Sequence, residues 1–246
     1  MSLLEHLQEL RKRFINVVVA LLLAFFVAYG FHERIFAFMQ RPITFALQKH
    51  HLDTRLIIHN PVDGFNLYLK LSFMAGALLA APYILYQLWL FISPGLYAHE
   101  KRYVWPFMLA TVSLFFGGAY FGYRFVFPGS LDFLFSYSSK FLPLIEINEY
   151  TSLFLTVVLG LGVTFELPIL VMFLSLFGMV SPKFLWKNIR YAILIIFVIA
   201  AIICPTPDVI MMCVFASPML LLYLVSIGVS FMVHPARRRA LKEAAK

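Results

Sequence analysis

The sequence predicts an all-α integral membrane protein, a curved bundle of six transmembrane helices with both termini in the cytoplasm. Three observations lead to this fold class. Of the 246 residues, 62% are hydrophobic and only 13% are charged, whereas an ordinary soluble domain is about 25% charged. The apolar residues are gathered into six long stretches, and most of the cations lie on one side of them. Such a chain needs lipid as its solvent, which excludes a soluble globular domain.

Each of the six apolar stretches is interpreted as one membrane crossing, since a crossing needs about 20 apolar residues. The first follows a run of three cations and shows no cleavage pattern, which predicts a retained helix rather than a signal peptide. The fifth, at about 16 residues, rises only about 24 Å and is expected to thin the bilayer locally. No internal repeat or linker divides the chain, so 1–246 is predicted to be a single polytopic membrane domain. The predicted spans are about 14–31, 65–92, 103–127, 150–179, 189–204 and 209–233.

The distribution of cations predicts the side of the membrane on which each loop lies, because cytoplasmic loops carry an excess of Lys and Arg. Thirteen cations lie on the same side as the termini and six on the other side, with Lys70 inside the second span. Both termini are therefore predicted to be cytoplasmic. The outer loops, 32–64 and 128–149, are expected to cap the helices, and Arg41-Pro42 is expected to break the first of them. The bends that curve the bundle are expected at the prolines inside spans: Pro82, Pro168 and Pro218.

The residue types that carry most enzyme chemistry are missing from the predicted spans. No histidine falls inside a span and no glycine-rich phosphate loop occurs, which argues against intramembrane hydrolysis and direct use of ATP. Cys204 and Cys213 are too few for a disulfide framework or a tetrahedral metal site. A metal site at His50, His51 and His59 is left open, although solvated loop histidines explain the same residues. We expect no enzyme activity, no cofactor and no metal.

The net charge of +8 indicates which partners the basic loops contact. In a membrane protein, such loops face anionic lipid headgroups. No charged tail long enough to bind a polyanion is present, so we expect no nucleic acid among the partners.

One carboxylate lies near the middle of a predicted span. Glu166 stands in Phe165-Glu-Leu-Pro168, roughly 20–25 Å from either end of the fourth span, where an unpaired carboxylate costs several kcal/mol. Pro168 removes the donor for the Thr164 carbonyl, which makes this place both polar and bent. Because intramembrane carboxyls are rare, we expect a functional site in a groove open to water or to a partner helix. A neutral glutamic acid bonded to a neighbouring helix is the alternative.

Two further carboxylates, Glu9 and Glu100, lie beside cations in predicted cytoplasmic segments. Local charge balance at helix ends accounts for this composition by itself. Two carboxylates that face one groove would also match two guanidinium groups, since the planar fork of arginine fits a carboxylate bidentately. The sequence leaves both interpretations open.

Four motifs resemble those of the TatC family, the multispanning receptor subunit of the twin-arginine protein translocase. They occur in that family's order and at its spacing, and the resemblance extends from end to end of the chain. Each motif is weak alone, whereas the four together are specific. They are His6-Leu-x-Glu-Leu-Arg-Lys-Arg13, Ala81-Pro-Tyr-Ile-Leu-Tyr-Gln-Leu-Trp89 with Phe91-Ile-Ser-Pro-Gly-Leu-Tyr-Ala-His-Glu-Lys-Arg102, Phe165-Glu-Leu-Pro168 and Pro205-Thr-Pro-Asp208.

The resemblance implies a function and a set of site residues. It implies a curved six-helix bundle that receives the twin-arginine signal peptide of folded cargo at the cytoplasmic face and nucleates a translocation site. Glu166, with Thr164 and Pro168 beside it, would form an intramembrane polar site on the concave side. The residues implied for binding the signal peptide are Glu9, Arg11, Phe91, Pro94, Leu96, Tyr97 and Glu100.

The resemblance also implies partners, namely single-span TatA and TatB subunits, signal peptides of folded cargo and membrane lipid; self-association is left open. The partner helices are expected near the fifth and sixth spans, with Pro205, Asp208 and Met212 as contacts. The family has a glutamine about four residues after this aspartate, where this chain has Met212, so the resemblance does not imply a hydrogen bond to a partner helix at that position. Asp208 is equally suited to cap the sixth helix.

The alternative function is a proton- or ion-coupled secondary transporter that uses Glu166. Paired, similarly interrupted halves are typical of such transporters, and the sequence shows none.

Overall fold

The computed structural model describes residues 3–92, 104–137, 144–176, 178–204 and 208–233. The regular secondary structure of these residues is helical, with no strand among them, and one isolated bridge pairs Ile57 with Glu146. This confirms the predicted all-α class. The helices are α1 (Leu3–Gly30), α2 (His32–Lys49), α3 (Asp63–Ile92), α4 (Val104–Phe121), α5 (Phe127–Tyr137), α6 (Ile147–Thr164), α7 (Leu167–Leu176), α8 (Pro182–Lys187), α9 (Ile189–Ile203) and α10 (Val209–Val233), and a π-helical turn, Gly122–Val126, joins α4 to α5.

Five helical segments of the described chain are long and apolar enough to cross a membrane. The helix α9 is apolar but has only 15 residues, about 22 Å of rise. The sixth crossing and the cytoplasmic position of the termini stay predictions. The five segments are Leu4–Gly30, Asp63–Phe91, Trp105–Ser136, Ile147–Ser175 and Val209–Phe231.

The helices are grouped into two compact units. The first comprises the described parts of Met1–Phe116 and Phe127–Thr156, and the second comprises those of Gly117–Val126 and Val157–Lys246. The prediction of one membrane domain over 1–246 stays a prediction.

In the first unit, α1 packs closely along α3. At Gly76 the backbones approach so nearly that an added Cβ would lie 2.9 Å from the Cα atom of Phe25, so only glycine fits there without a shift. The Trp89 indole N–H donates to the Thr111 hydroxyl at 3.1 Å and ties α3 to α4. These contacts hold α1 and α4 against α3 within the first unit.

The predicted first outer loop contains an unexpected helix. Although a break was predicted at Arg41-Pro42, α2 continues through Pro42, which is buried. The Tyr150 hydroxyl donates to the Met39 carbonyl at 2.6 Å, in the turn where the proline disrupts the backbone bonding. This bond ties α2 to α6, and burial of the apolar face of α2 offsets the cost of a proline inside the helix.

In the second unit, α10 packs against α7 and α8. The buried hydroxyls of Ser175 and Ser230 share a hydrogen bond of 2.7 Å, and the Tyr223 hydroxyl donates to the Leu185 carbonyl at 2.9 Å. These bonds satisfy polar groups that lipid could not satisfy.

Candidate functional site

The first polar site lies on α1, where Glu9 and Arg13 face each other one turn apart. The Oε1 atom of Glu9 accepts hydrogen bonds from Nη2 of Arg13 at 2.7 Å and from Nε at 3.1 Å. The side chains are 18% and 24% exposed, respectively. The spacing of four residues places both on one helix face, and the paired donors hold the carboxylate in one orientation.

Arg13 also connects α1 to α3. Its Nη1 atom donates to Oε1 of Gln87 at 3.0 Å, and Nε2 of Gln87 donates to the Tyr83 hydroxyl at 2.7 Å. Gln87 is only 5% exposed, so both ends of its amide need partners. The series Tyr83, Gln87, Arg13 and Glu9 therefore positions the carboxylate from two helices.

Glu9 lines an open cleft with a volume of about 330 Å³. Its second oxygen, Oε2, is buried and accepts no hydrogen bond from any described residue. A buried carboxylate oxygen without a donor costs free energy, which a bound donor would recover. The cleft is therefore chemically suited to a guanidinium or ammonium group. Its lining residues are Glu5, Gln8, Glu9, Lys12, Arg13 and Asn16.

The other residues predicted to bind a signal peptide are only partly described. Arg11 is exposed on α1. Phe91, near the end of α3, stacks on His6 with ring centroids 4.5 Å apart and an interplanar angle of 20°. The structure thus joins Phe91 to the turn of α1 that precedes Glu9. Pro94, Leu96, Tyr97 and Glu100 lie outside the described residues.

The second polar site is the break between α6 and α7, where the structure brings the predicted Thr164, Glu166 and Pro168 together. The Glu166 N–H donates to the Val163 carbonyl, three residues back, at 3.1 Å. The Thr164 hydroxyl donates to the Gly160 carbonyl at 2.7 Å, and Pro168 has no N–H to offer. Glu166 therefore interrupts the membrane-length segment Ile147–Ser175.

Glu166 is half-buried, and its Oε1 atom is buried without a hydrogen-bond partner in the part of the chain that the structure describes. The phenyl ring of the preceding residue, Phe165, lies 5.7 Å from that of Phe121. A carboxyl oxygen in such apolar surroundings needs a proton, a water molecule or a donor from another molecule.

Asp208 caps α10. Its Oδ2 atom accepts from the Met211 N–H and its carbonyl accepts from the Met212 N–H, both at 3.0 Å. This is the capping role that the sequence allowed. The predicted contact of Asp208 and the half-buried Met212 with a partner helix stays a prediction. Pro205 lies outside the described residues.

Two residues of the first site, Gln87 and Tyr83, were not predicted as functional. A sequence signal exists for both, since a glutamine in the last turns of a very apolar helix, four residues after a tyrosine, marks a polar face of that helix. The hydrogen bond between Arg13 and Gln87 could not be predicted from local sequence, because the two residues are 74 positions apart.

Two histidines of the predicted first outer loop lie near separate carboxylates. His50 lies 3.5 Å from Asp132, and His59 lies 3.6 Å from Glu146. Across the described ranges, no group of three or more His, Cys, Asp or Glu side chains is arranged to hold a metal ion. The structure therefore does not bring His50, His51 and His59 together.

The membrane-length helices and their two polar sites define the class of protein, a polytopic α-helical membrane protein. A family model described as "Sec-independent protein translocase protein (TatC)" matches residues 5–218. The chain belongs to the TatC family. Its function is accordingly that of a Sec-independent protein translocase component, which crosses the bacterial cytoplasmic (inner) membrane several times.

Relatives and solved structures agree with this membership. The chain is 58% identical over 244 residues to the Sec-independent protein translocase protein TatC of Koribacter versatilis (strain Ellin345), covering 99% of this chain and 90% of that one. It is 37% identical to TatCy of Bacillus subtilis (strain 168), covering 100% and 93%. A crystal structure of a twin arginine translocase receptor, TatC, superimposes with a TM-score of 0.82 at 36% identity, over 93% of this chain and 99% of the other. These names describe translocase components, which indicates a role other than catalysis.

Proposed function

We propose that the chain is the receptor subunit that binds the twin-arginine signal peptide of folded cargo at the cytoplasmic face. The observation that carries this proposal is Glu9, which lines an open cleft on α1 and whose Oε2 atom has no donor among the described residues. An arriving guanidinium group supplies the missing donors in the planar geometry that a carboxylate prefers.

Glu9 is prepared for this contact by its own neighbours. Arg13 occupies Oε1 and leaves Oε2 for a second cation. Gln87 holds Arg13 in turn, so the carboxylate does not have to be ordered when the peptide binds, which lowers the entropic cost of binding. Glu100 supplies the second carboxylate of the proposed site, with Arg11, Phe91, Pro94, Leu96 and Tyr97 forming the surrounding surface.

The proposed topology has six crossings with both termini cytoplasmic. Five segments reach membrane length, and the 15 apolar residues of α9 provide the sixth across a locally thinned bilayer. The excess of cations on the side of the termini supports this orientation.

The subunit acts by binding and assembly and carries out no catalysis. It nucleates the translocation site with single-span subunits of the TatA and TatB type, whose helices dock near α9 and the start of α10, at Pro205, Asp208 and Met212. The exposed apolar side chains of α9 support this, among them Leu194, Val198 and Ile202. Glu166, with Thr164 and Pro168, provides the polar groove in which a partner helix or water meets the membrane interior.

A peptide titration tests the proposal. The purified full chain is titrated with a synthetic twin-arginine signal peptide and with a twin-lysine version of the same peptide. Lysine keeps the charge and loses the fork, so we expect the arginine peptide to bind much more tightly. Equal binding of both peptides, or of neither, would overturn the receptor proposal.

A further inference from the structure

The exposed face of α2 carries an alternation of arginine and phenylalanine. We call Arg34, Phe38, Arg41 and Phe45 the Phe-Arg stripe. Their spacing of four, three and four residues places them within an arc of about 60° on one helix face. Phe38 is 47% exposed and Phe45 is 67% exposed, and both arginines are exposed. Large aromatic and cationic side chains thus share one uncovered strip.

The stripe is presented by a helix that is fixed in place. The other side of α2 is buried, at Met39, Pro42, Ile43, Ala46 and Leu47. Near its end, Nζ of Lys49 donates to Oδ2 of Asp132 on α5 at 2.7 Å. The exposure of the stripe therefore does not result from a loosely held segment.

Neither guanidinium group of the stripe is neutralised within the described chain. The Cζ atom of Arg34 lies 5.7 Å from the ring centroid of Phe31, and that of Arg41 lies 5.8 Å from the ring centroid of Phe38. No ion pair to either arginine occurs among the described residues. Contact with an aromatic face leaves the N–H groups at the guanidinium edge available to an anion.

The length of α1 places the start of α2 at a membrane boundary. The helix crosses the apolar core after Arg13, and the residues from Phe14 to Gly30 rise roughly 26 Å, close to the ~30 Å of a hydrocarbon core. Only 11% of the apolar window of this helix is buried in the protein, so lipid surrounds it. Since α2 begins two residues after α1 ends, its first turn lies at the level of the headgroups.

We propose that the Phe-Arg stripe is a phospholipid-binding surface at the membrane interface. The arginines bond lipid phosphates, and Phe38 and Phe45 insert at the boundary between headgroups and acyl chains. Phosphates are present at this depth in every phospholipid, and their charge complements the two unpaired guanidinium groups. The surface anchors the outer helix α2 to the bilayer, independently of the proposed peptide site on the other side.

Depth-dependent quenching tests the position of the stripe. Phe38→Cys and Phe45→Cys are each labelled with bimane in a Cys204→Ala, Cys213→Ser background. Ile58→Cys is the control, since Ile58 is also exposed but lies off the stripe. The protein is placed in vesicles of phosphatidylethanolamine and phosphatidylglycerol. We expect nitroxide on lipid headgroups to quench both stripe labels and aqueous iodide to quench the control preferentially.

Two results would overturn the proposal. Strong quenching of the stripe labels by iodide, without quenching by the lipid nitroxide, would show that the stripe faces water. Shielding from both quenchers would show that protein covers it, either a second copy of this chain or another subunit.

The affinity of the unlabelled protein for phospholipid provides the second test. Arg34→Gln and Arg41→Gln are compared with Arg55→Gln, which removes an exposed cation from the same outer region. Titration with fluorescent phosphatidylglycerol in detergent should show about fivefold weaker binding for each stripe variant and about 25-fold for the double variant. The control should match the wild type. Unchanged affinity in the double variant would overturn the proposal.

Discussion

Glu9 uses its two carboxylate oxygens differently. Oε1 is occupied by the guanidinium group of Arg13, whereas Oε2 is buried and has no donor among the described residues. Removal of the side chain therefore removes a binding contact and also relieves an unsatisfied group, so stability and peptide affinity should respond in different ways.

Glu9→Ala and Glu100→Ala are expected to weaken binding of the signal peptide while the protein stays folded. Each lost charge-assisted contact should cost ~1.5–3 kcal/mol, about 10- to 150-fold in Kd. Titration of each purified variant with a twin-arginine peptide measures the effect, and thermal unfolding in detergent checks the fold.

Glu149→Ala is the matched control for these variants. Glu149 is an exposed carboxylate in the first turn of α6, far from the cleft in sequence, and its removal should leave Kd unchanged. Wild-type affinity in the Glu9→Ala, Glu100→Ala double variant would rule out the carboxylate site.

Glu166 should matter for transport and not for peptide binding. Glu166→Gln keeps the shape and hydrogen-bonding groups of the side chain without its charge, and Glu166→Leu removes both. If polarity in the groove is required, the Gln variant should retain much of the export of folded cargo that the Leu variant loses. If the charge is required, neither variant should export folded cargo. Export is measured in cells that depend on this subunit.

Peptide affinity is the control for the Glu166 variants, since the proposed peptide site lies at Glu9. It should stay at the wild-type value in both. Export at the wild-type rate by Glu166→Leu would show that the carboxyl is merely tolerated in the helix break.

At the scale of single residues, the sequence indicated carboxylates whose surroundings are unusual. A carboxylate inside an apolar span is rare enough to make Glu166 a candidate, whereas Glu9 became a candidate through the resemblance to the TatC family. The sequence could not predict that Gln87 holds Arg13, because that contact joins α1 to α3 across 74 residues and depends on tertiary packing.

At the scale of elements, close packing in the second unit depends on one of two adjacent glycines in α4. An added Cβ at Gly118 would lie 2.6 Å from the Leu161 carbonyl oxygen and 2.7 Å from Cβ of Phe165, whereas at Gly117 it would meet nothing within 4 Å. Gly118→Ala should therefore destabilise the protein by about 1–3 kcal/mol through overpacking.

Gly117→Ala is the matched control for this prediction, because it makes the same chemical change one residue away. Its midpoint of thermal unfolding in detergent should equal or exceed the wild-type value, since alanine favours the helix. Equal destabilisation by both variants would show that helix packing at Gly118 is not the cause.

The helix α2 shows why elements can be missed from sequence. A proline inside a polar loop predicts a break, and this prediction was wrong at Pro42. The helix persists because its apolar face is buried and because the Tyr150 hydroxyl bonds the Met39 carbonyl. Both causes are tertiary contacts, and Tyr150 is 111 residues away. In contrast, the fifth apolar stretch ends within one residue of α9, because few side chains of this helix are buried and its composition rather than tertiary packing sets its limits.

At the scale of the whole molecule, the fold class follows from the lipid solvent that the composition requires. The composition excludes water as the main surroundings, and the absence of water in the membrane core requires backbone groups to bond within helices. The division into two compact units could not be predicted in this way, because it depends on which helices pack together rather than on how apolar each one is.

The number of crossings is tested by cysteine labelling of whole cells. In a Cys204→Ala, Cys213→Ser background, Asn60→Cys in the first outer loop should react with an impermeant maleimide. Lys187→Cys, just before α9, and Ala240→Cys, near the C-terminus, should react only after permeabilisation. Because α10 crosses, Lys187 and Ala240 lie on the same side only if α9 crosses as well.

Asn60→Cys and Lys187→Cys are suitable reporters, since both positions are exposed, and each variant should first be labelled completely in detergent as a control for reactivity. Labelling of Ala240→Cys from outside, with Lys187→Cys protected, would mean that the 15 residues of α9 do not cross and that the bundle has five spans. Labelling of Lys187→Cys from outside and not of Asn60→Cys would reverse the orientation. The Glu9 cleft would then lie on the outer side of the membrane. No newly made signal peptide could reach it there, so this result would also overturn the proposed receptor function.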